Sequence, residues 1–206
     1  MLYKIITFLV RPLAKIIFPY SVSYAAEIPK EGPLILCGKH ISLMDAVITI
    51  LTFKRQVFFI AKAELFKFKP FGWFLRSMGA FPIKRGTGDL SALKTSLKIL
   101  KEGKVLGIMP EGTRVQSIEH TEFKTGAMNL AYKTKAPVLP YGIYTKDYKV
   151  RPFKLIRINY GKPLTFEELG FKDGSKEELQ RVTDNILKKE IIELSKPDGH
   201  KRGKNK

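Results

Sequence analysis

The chain has 206 residues, enough for one domain with a sizeable core and too few for two of ordinary size. Hydrophobic content of 44% beside 27% charged residues excludes a disordered or fibrous polymer. With 37 Lys and Arg against 19 Asp and Glu the formal charge is +18, which excludes acid-rich function classes and asks for an anionic partner: nucleic acid, anionic lipid or a phosphorylated substrate.

Residues 2–18, LYKIITFLVRPLAKIIF, set Leu2, Ile5, Ile6, Leu9, Leu13, Ile16 and Ile17 on one helical face, with Lys4, Arg11 and Lys15 largely elsewhere. Three charges and Pro12 break the run, so a spanning helix is not expected, and no small-residue cleavage site follows for a signal peptide. The pattern predicts an amphipathic helix in the membrane interface; packing against the domain is the alternative. The boundaries expected are a membrane-association segment over 1–20, a domain over 21–198 and a basic disordered tail over 199–206.

From residue 34 short apolar runs alternate with amphipathic ones, which predicts a single-domain α/β sandwich around a largely apolar central sheet. LILCG, QVFFIAK, GAFPIK, VLGIM, PVLPYGI and FKLIRINYG read as strands. VLGIM and PVLPYGI are apolar without alternation, as in strands covered on both faces. Pro137 and Pro140, flanking an apolar strand, are expected to shape a wall and do no chemistry. In the helix after GAFPIK, Leu90, Leu93, Leu97 and Leu100 form a stripe that Asp89 caps and Gly103 ends. A last helix opens at Ser175 with Glu178 three residues on, a capping-box pattern. The run Phe66, Phe68, Phe71, Trp73 and Phe74, with Lys67 and Lys69 between, fits either core packing or insertion among lipid headgroups. This interleaving of aromatic residues with Lys in apolar sequence favours a lipid surface over nucleic acid.

Cys37 has no partner for an internal disulfide, and His40, His120 and His200 lie about eighty residues apart without a carboxylate cluster, so no metal site is expected. His40 and Asp45 stand five residues apart in GKHISLMD, between an apolar strand and an apolar helix. Five residues of helix rotate by roughly 500°, about 140° off face, so His40 must sit in the loop with Asp45 reaching back from the first turn. There the carboxylate can accept the imidazole Nδ1 proton and leave Nε2 as a base able to deprotonate an alcohol. Alone, the pair also fits a structural histidine. Two further strand ends carry charge, Lys84 and Arg85 in FPIKR, and Glu111 and Arg114 in PEGTR, and strand ends are where open α/β sheets bind ligands.

Together KHISLMD (His40, Ser42, Asp45), FPIKR (81–85), PEGTR (110–114) and APVLPYGI (136–143) resemble, in order, the four blocks of the glycerolipid acyltransferases, the family of 1-acyl-glycerol-3-phosphate acyltransferase. Lys39 stands where that family often has Asn, and Val115 where Ser is frequent. The resemblance implies transfer of a fatty acyl group from a coenzyme A or acyl-carrier-protein thioester to the free hydroxyl of a lysophospholipid, without an acyl-enzyme and without a cofactor. It implies His40 as general base, Asp45 as its orienting partner, and Lys84, Arg85 and Arg114 as contacts to phosphate or donor. Glu111 would bond the glycerol hydroxyl or hold neighbouring basic groups, beside Gly112 and Thr113. Lysophosphatidic acid is the acceptor expected, at the cytoplasmic face of the cell membrane as a peripheral or monotopic protein on anionic lipid. Glycerol-3-phosphate or another lysolipid stays open as acceptor, as does a basic membrane-binding module without activity. Cys37 is expected to be a buried, inert thiol and Ser42 a backbone cap.

Overall fold

The computed structural model describes residues 2–42, 44–83, 89–114 and 121–199. Seven strands form one sheet: β1 (Tyr20–Tyr24), β2 (Leu34–Gly38), β3 (Val57–Lys62), β4 (Ala80–Ile83), β5 (Val105–Ile108), β6 (Val138–Tyr144) and β7 (Ile156–Tyr160). Their order is β1-β7-β6-β2-β5-β3-β4. The five strands from β6 to β4 are parallel; β7 runs antiparallel to β6 and carries β1 parallel to itself at the edge. Every residue of β2 is buried, as continuous apolar runs require at a sheet centre.

Helices cover both faces, so the expected α/β sandwich is the architecture found. One core joins Ile35, Cys37 and Leu106 to α4 (Leu90–Lys101), α5 (Gly126–Thr134), α7 (Lys176–Val182) and α8 (Lys189–Leu194), the last two joined by a π-helical turn over Thr183–Lys188. The other joins Leu34, Leu36, Phe59, Tyr141 and Tyr160 to α2 (Met44–Thr52). A short α6 (Phe166–Leu169) opens with a complete capping box, Thr165 with Glu168. At α7 the box is half formed. Ser175 Oγ accepts from Glu178 N, but the Glu178 carboxylate instead accepts from the amides of Lys172, Asp173 and Gly174.

In α4 the Asp89 carboxylate caps Ser91 and Ala92 amides and Gly103 ends the helix at φ +69°. The buried stripe differs from the leucine pattern: Ala92, Ser96, Ile99 and Leu100 are buried, Leu93 and Leu97 are partly so, and Leu90 at the first turn is exposed. Small residues let the helix approach the sheet, and the leucines flank that contact. Pro140 lies inside β6. Its carbonyl accepts from Gly161 N beyond the β7 ladder, which starts at Tyr141, so its own nitrogen faces the end of the ladder where no donor is needed.

Helix α1 (Leu2–Ile17) is turned so that its polar side meets the domain. Tyr3 and Thr7 are buried, and Arg11 Nη2 donates to Phe53 O at 3.2 Å beyond the end of α2. Leu2, Ile5, Leu9, Leu13 and Ile16 are exposed, with Phe8 on their flank. The alternative reading, packing against the domain, is what is found, and the helix leaves its apolar face open. The aromatic run behaves alike. Phe68, Phe71, Trp73 and Phe74, on and just before α3 (Lys69–Ser77), are exposed and only Phe66 is half-buried, so core packing is not their role. Among the described residues no helix is long and apolar enough to cross a membrane. The expected tail falls, from residue 200, outside the described residues; Gly199 is buried, its amide donating to Lys196 O.

Candidate active site

All five parallel strands end at one edge of the sheet, and the segments carrying His40 and Glu111 follow β2 and β5 there. Past Gly38 the chain must turn from the buried β2 into α2, and Asp45 in the first turn of α2 organises that turn. Its Oδ2 accepts from Ile41 N at 2.6 Å, Ser42 N at 2.7 Å and His40 Nδ1 at 3.1 Å. Ser42 Oγ accepts from Met44 N, the capping geometry. Asp45 is 0% exposed while the His40 side chain reaches solvent. A carboxylate can only accept, so the network assigns the proton to Nδ1 and leaves Nε2 as an acceptor facing outward.

One strand over, β5 ends at Ile108 and the PEGTR segment follows. Glu111, 4% exposed, accepts the His40 backbone N–H on Oε1 at 3.1 Å, and its Oε2 is buried without a partner. One carboxylate oxygen is thus spent on the His40 loop, which narrows the sequence expectation of a glycerol or basic-group partner to the other oxygen. Burial pushes the Glu111 carboxyl up to about 7, against the lowering effect of its backbone hydrogen bonds. Gly112 adopts φ +66°, a conformation open to glycine, and a Cβ there would press on the Lys124 side chain at 3.1 Å. Thr113 and Arg114 are exposed beyond it. Lys84 and Arg85, expected from sequence at a strand end, lie outside the described residues.

Three residues not singled out from sequence as site groups join the edge. Lys62 is the last residue of β3, at the end of the strand that pairs with β5, and its ammonium lies 3.7 Å from Glu64 Oε1. A lysine closing the apolar run QVFFIAK was the available signal. Lys39 is 1% exposed, its ammonium 4.8 Å from the ring centre of Tyr148. Burial lowers this lysine to about 8, with Asp45 and Glu111 pulling it back up. The Cys37 thiol is buried, and burial first and Glu111 second push it far up, which leaves no thiolate to act as nucleophile.

The raised Glu111 carboxyl makes stability pH-dependent. The unfolded group loses its proton near 4.5 and the folded one near 7, so unfolding releases a proton between those values and stability falls as pH rises across them. A shift of this size is worth about 3 kcal/mol at pH 8. Glu111→Gln keeps an acceptor for His40 N and removes the charge. Thermal unfolding should show the variant more stable than wild type at pH 8 and nearly equal at pH 4.5; the same difference at both pH values would contradict the assignment.

An imidazole held by a buried carboxylate thus lies at the ends of parallel strands, an arrangement able to take a proton from a hydroxyl. A family model described as Acyltransferase matches residues 20–144. A 1-acyl-sn-glycerol-3-phosphate acyltransferase of Bacillus subtilis is 32% identical over 82% of this chain and 84% of its own length. One of Borreliella burgdorferi is 33% identical over 61% of this chain, which spans about half (51%) of that relative. The crystal structure of the 1-acyl-sn-glycerophosphate acyltransferase of Thermotoga maritima superposes with a TM-score of 0.71 at 26% identity, over 93% of this chain and 80% of that one. The chain belongs to the acyltransferase family, and the resemblance read from its four blocks holds.

Proposed function

We propose that this enzyme transfers a fatty acyl group from a coenzyme A or acyl-carrier-protein thioester to the free hydroxyl of 1-acyl-glycerol-3-phosphate, giving phosphatidic acid for phospholipid synthesis. The observation that carries the reading is the His40–Asp45 pair, with Nδ1 committed to a buried carboxylate and Nε2 without a hydrogen bond among the described residues. His40 Nε2 takes the acceptor's hydroxyl proton as the oxygen attacks the thioester carbonyl. The new C–O bond forms, the C–S bond breaks, and the imidazolium returns its proton to the departing thiolate. Asp45 balances the imidazolium charge during the step. Oxygen attacks directly, so no acyl-enzyme forms, in keeping with an inert Cys37 and a Ser42 engaged as a cap. Lys62, Lys84, Arg85 and Arg114 supply the cations for the acceptor phosphate, where guanidinium groups bind two oxygens at once. The names of the Bacillus subtilis and Borreliella burgdorferi relatives support this acceptor.

Incubating pure protein with each thioester and, in turn, lysophosphatidic acid, glycerol-3-phosphate and a neutral lysolipid tests the acceptor. Phosphatidic acid from the first is expected to dominate; preferred turnover of glycerol-3-phosphate would overturn it.

The enzyme works, in this reading, as a peripheral protein on the cytoplasmic face of an anionic membrane, with residues 1–20 as its association segment. The open face of α1, the exposed aromatic residues around Trp73 and the +18 charge support it. Leu9 is 64% exposed, so Leu9→Glu costs the fold little while placing a charge where apolar contact is needed. Sedimentation with anionic vesicles should show binding about tenfold weaker at every salt concentration, a loss of about 1.4 kcal/mol. Raising salt should weaken wild-type binding in part only, because it screens the basic contribution and spares apolar burial. Unchanged binding of the variant would remove α1 from the membrane contact.

A further inference from the structure

The connection from β6 to β7, residues 145–155 with sequence TKDYKVRPFKL, is apolar and basic on its open side. It starts from the strand end beside β2 and so overhangs the edge that holds His40. Tyr148, Phe153 and Leu155 are exposed, Phe153 at 71%, while Val150 packs on the core and pins the middle. Tyr148 and Phe153 hold φ of +55° and +59°, a region that costs side-chain-bearing residues energy. Lys149 and Arg151 stand between these rings in sequence and Lys146 and Lys154 outside them, against the single acid Asp147, which pairs with Arg151 at 3.0 Å.

Two contacts tie this segment to other parts of the molecule. Phe153 N donates to Ile17 O at 2.6 Å and Ile156 N to Pro19 O at 2.9 Å, so the segment continues the surface of α1 from its C-terminal end. On the other side the Tyr148 ring covers the ammonium of Lys39, the residue before His40.

We infer that residues 145–155 are a second docking element for an anionic bilayer, which inserts Phe153 and Leu155 beside the open face of α1 and steadies the catalytic loop through the Tyr148 ring over Lys39. The occupant follows from the chemistry: apolar side chains framed by cations, continuous with a helix whose exposed face has the same character, match lipid tails beneath anionic headgroups. The left-handed backbone at Tyr148 and Phe153 presents the two rings, one to the site and one to the surface. Lipid contact at one end thereby orders the loop that carries the base at the other, which makes Tyr148 a positioning residue. This rests on the acyltransferase reading for its catalytic half and on the surface alone for its docking half.

The test uses full-length protein, vesicles of equimolar phosphatidylcholine and phosphatidylglycerol, and lysophosphatidic acid presented in those vesicles or in detergent micelles. Phe153→Glu should weaken vesicle sedimentation about tenfold and lower the ratio of vesicle to micelle turnover by a similar factor. Binding equal to wild type would overturn the docking element. Tyr148→Leu should keep vesicle binding within about twofold but lower kcat about fivefold on both presentations, with Tyr148→Phe restoring it because the ring face survives. Lys39→Met should lower kcat at least as far, since it also removes the charge beside Asp45 and Glu111, and adding Tyr148→Leu to it should bring no further loss because the shared contact is already gone. Additive losses, or a Tyr148→Phe variant as poor as Tyr148→Leu, would overturn the coupling. Wild type without turnover on lysophosphatidic acid would sink the functional reading instead, and the sedimentation arm would still decide the docking element.

Discussion

His40→Ala is expected to lower acyl transfer by roughly 10³, within the range general bases contribute, while the protein stays folded. The side chain is partly exposed and, among the described residues, is hydrogen-bonded to Asp45 Oδ2 alone. Its removal leaves that oxygen still accepting the amides of Ile41 and Ser42, so the loop keeps two of its three ties. The loss should fall on kcat, because the proton moves only in the transition state. Asp45→Asn separates two duties of the carboxylate. A carboxamide oxygen at the Oδ2 position can still accept all three donors, and its NH2 would occupy the place of Oδ1, which is buried without a partner. The tautomer is then kept and the charge opposite the imidazolium is lost, so turnover should fall by about 10². Steady-state kinetics of both variants, with thermal unfolding as control, checks this. An Asp45→Asn variant with wild-type turnover would mean that the carboxylate only folds the loop.

Gly38→Ala is expected to destabilise the fold and disable the site together. A Cβ at Gly38 would lie 2.2 to 2.5 Å from three ring atoms of Tyr141, far inside contact distance. That ring is fully buried and packs against Tyr160 at 5.8 Å between centroids, so it has nowhere to go, and β2 must move one residue before Lys39 and His40. Overpacking of this kind costs about 1–3 kcal/mol, and more where a rigid ring cannot rotate away. Tyr141→Leu alone opens a cavity and also destabilises. Combined, the two changes complement each other in volume, so the double variant should be more stable than the sum of the single losses predicts. Chemical denaturation of the four proteins measures the coupling; strict additivity would contradict the contact.

The parts legible from sequence were those whose determinants are local. The Asp45 to His40 contact spans five residues and follows from helix geometry, and the caps at Asp89 and Ser175 are read within a single turn. The tie between Glu111 and the His40 amide spans 71 residues, and that between Tyr148 and Lys39 depends on β6 lying next to β2, a pairing no local pattern encodes. Strand β1, YSVSY, escaped notice because it is a short, half-exposed edge strand that is recruited by β7 from far along the chain. Periodicity located the apolar face of α1 but not its direction. Tyr3 and Arg11 find acceptors in Ile50 O and Phe53 O of the domain, and those specific bonds turn the polar side inward. In α4 the apolar stripe held at Leu100 but was offset in the earlier turns, where the small Ala92 and Ser96 are buried more deeply than Leu93 and Leu97.

The most direct test of the central claim follows thiol release from the donor thioester with and without lysophosphatidic acid. Direct attack by a hydroxyl activated at His40 predicts thiol release that needs the acceptor, equals the phosphatidic acid formed and disappears in His40→Ala. A burst of thiol from donor alone, matched by an acyl mass on the protein, would contradict it.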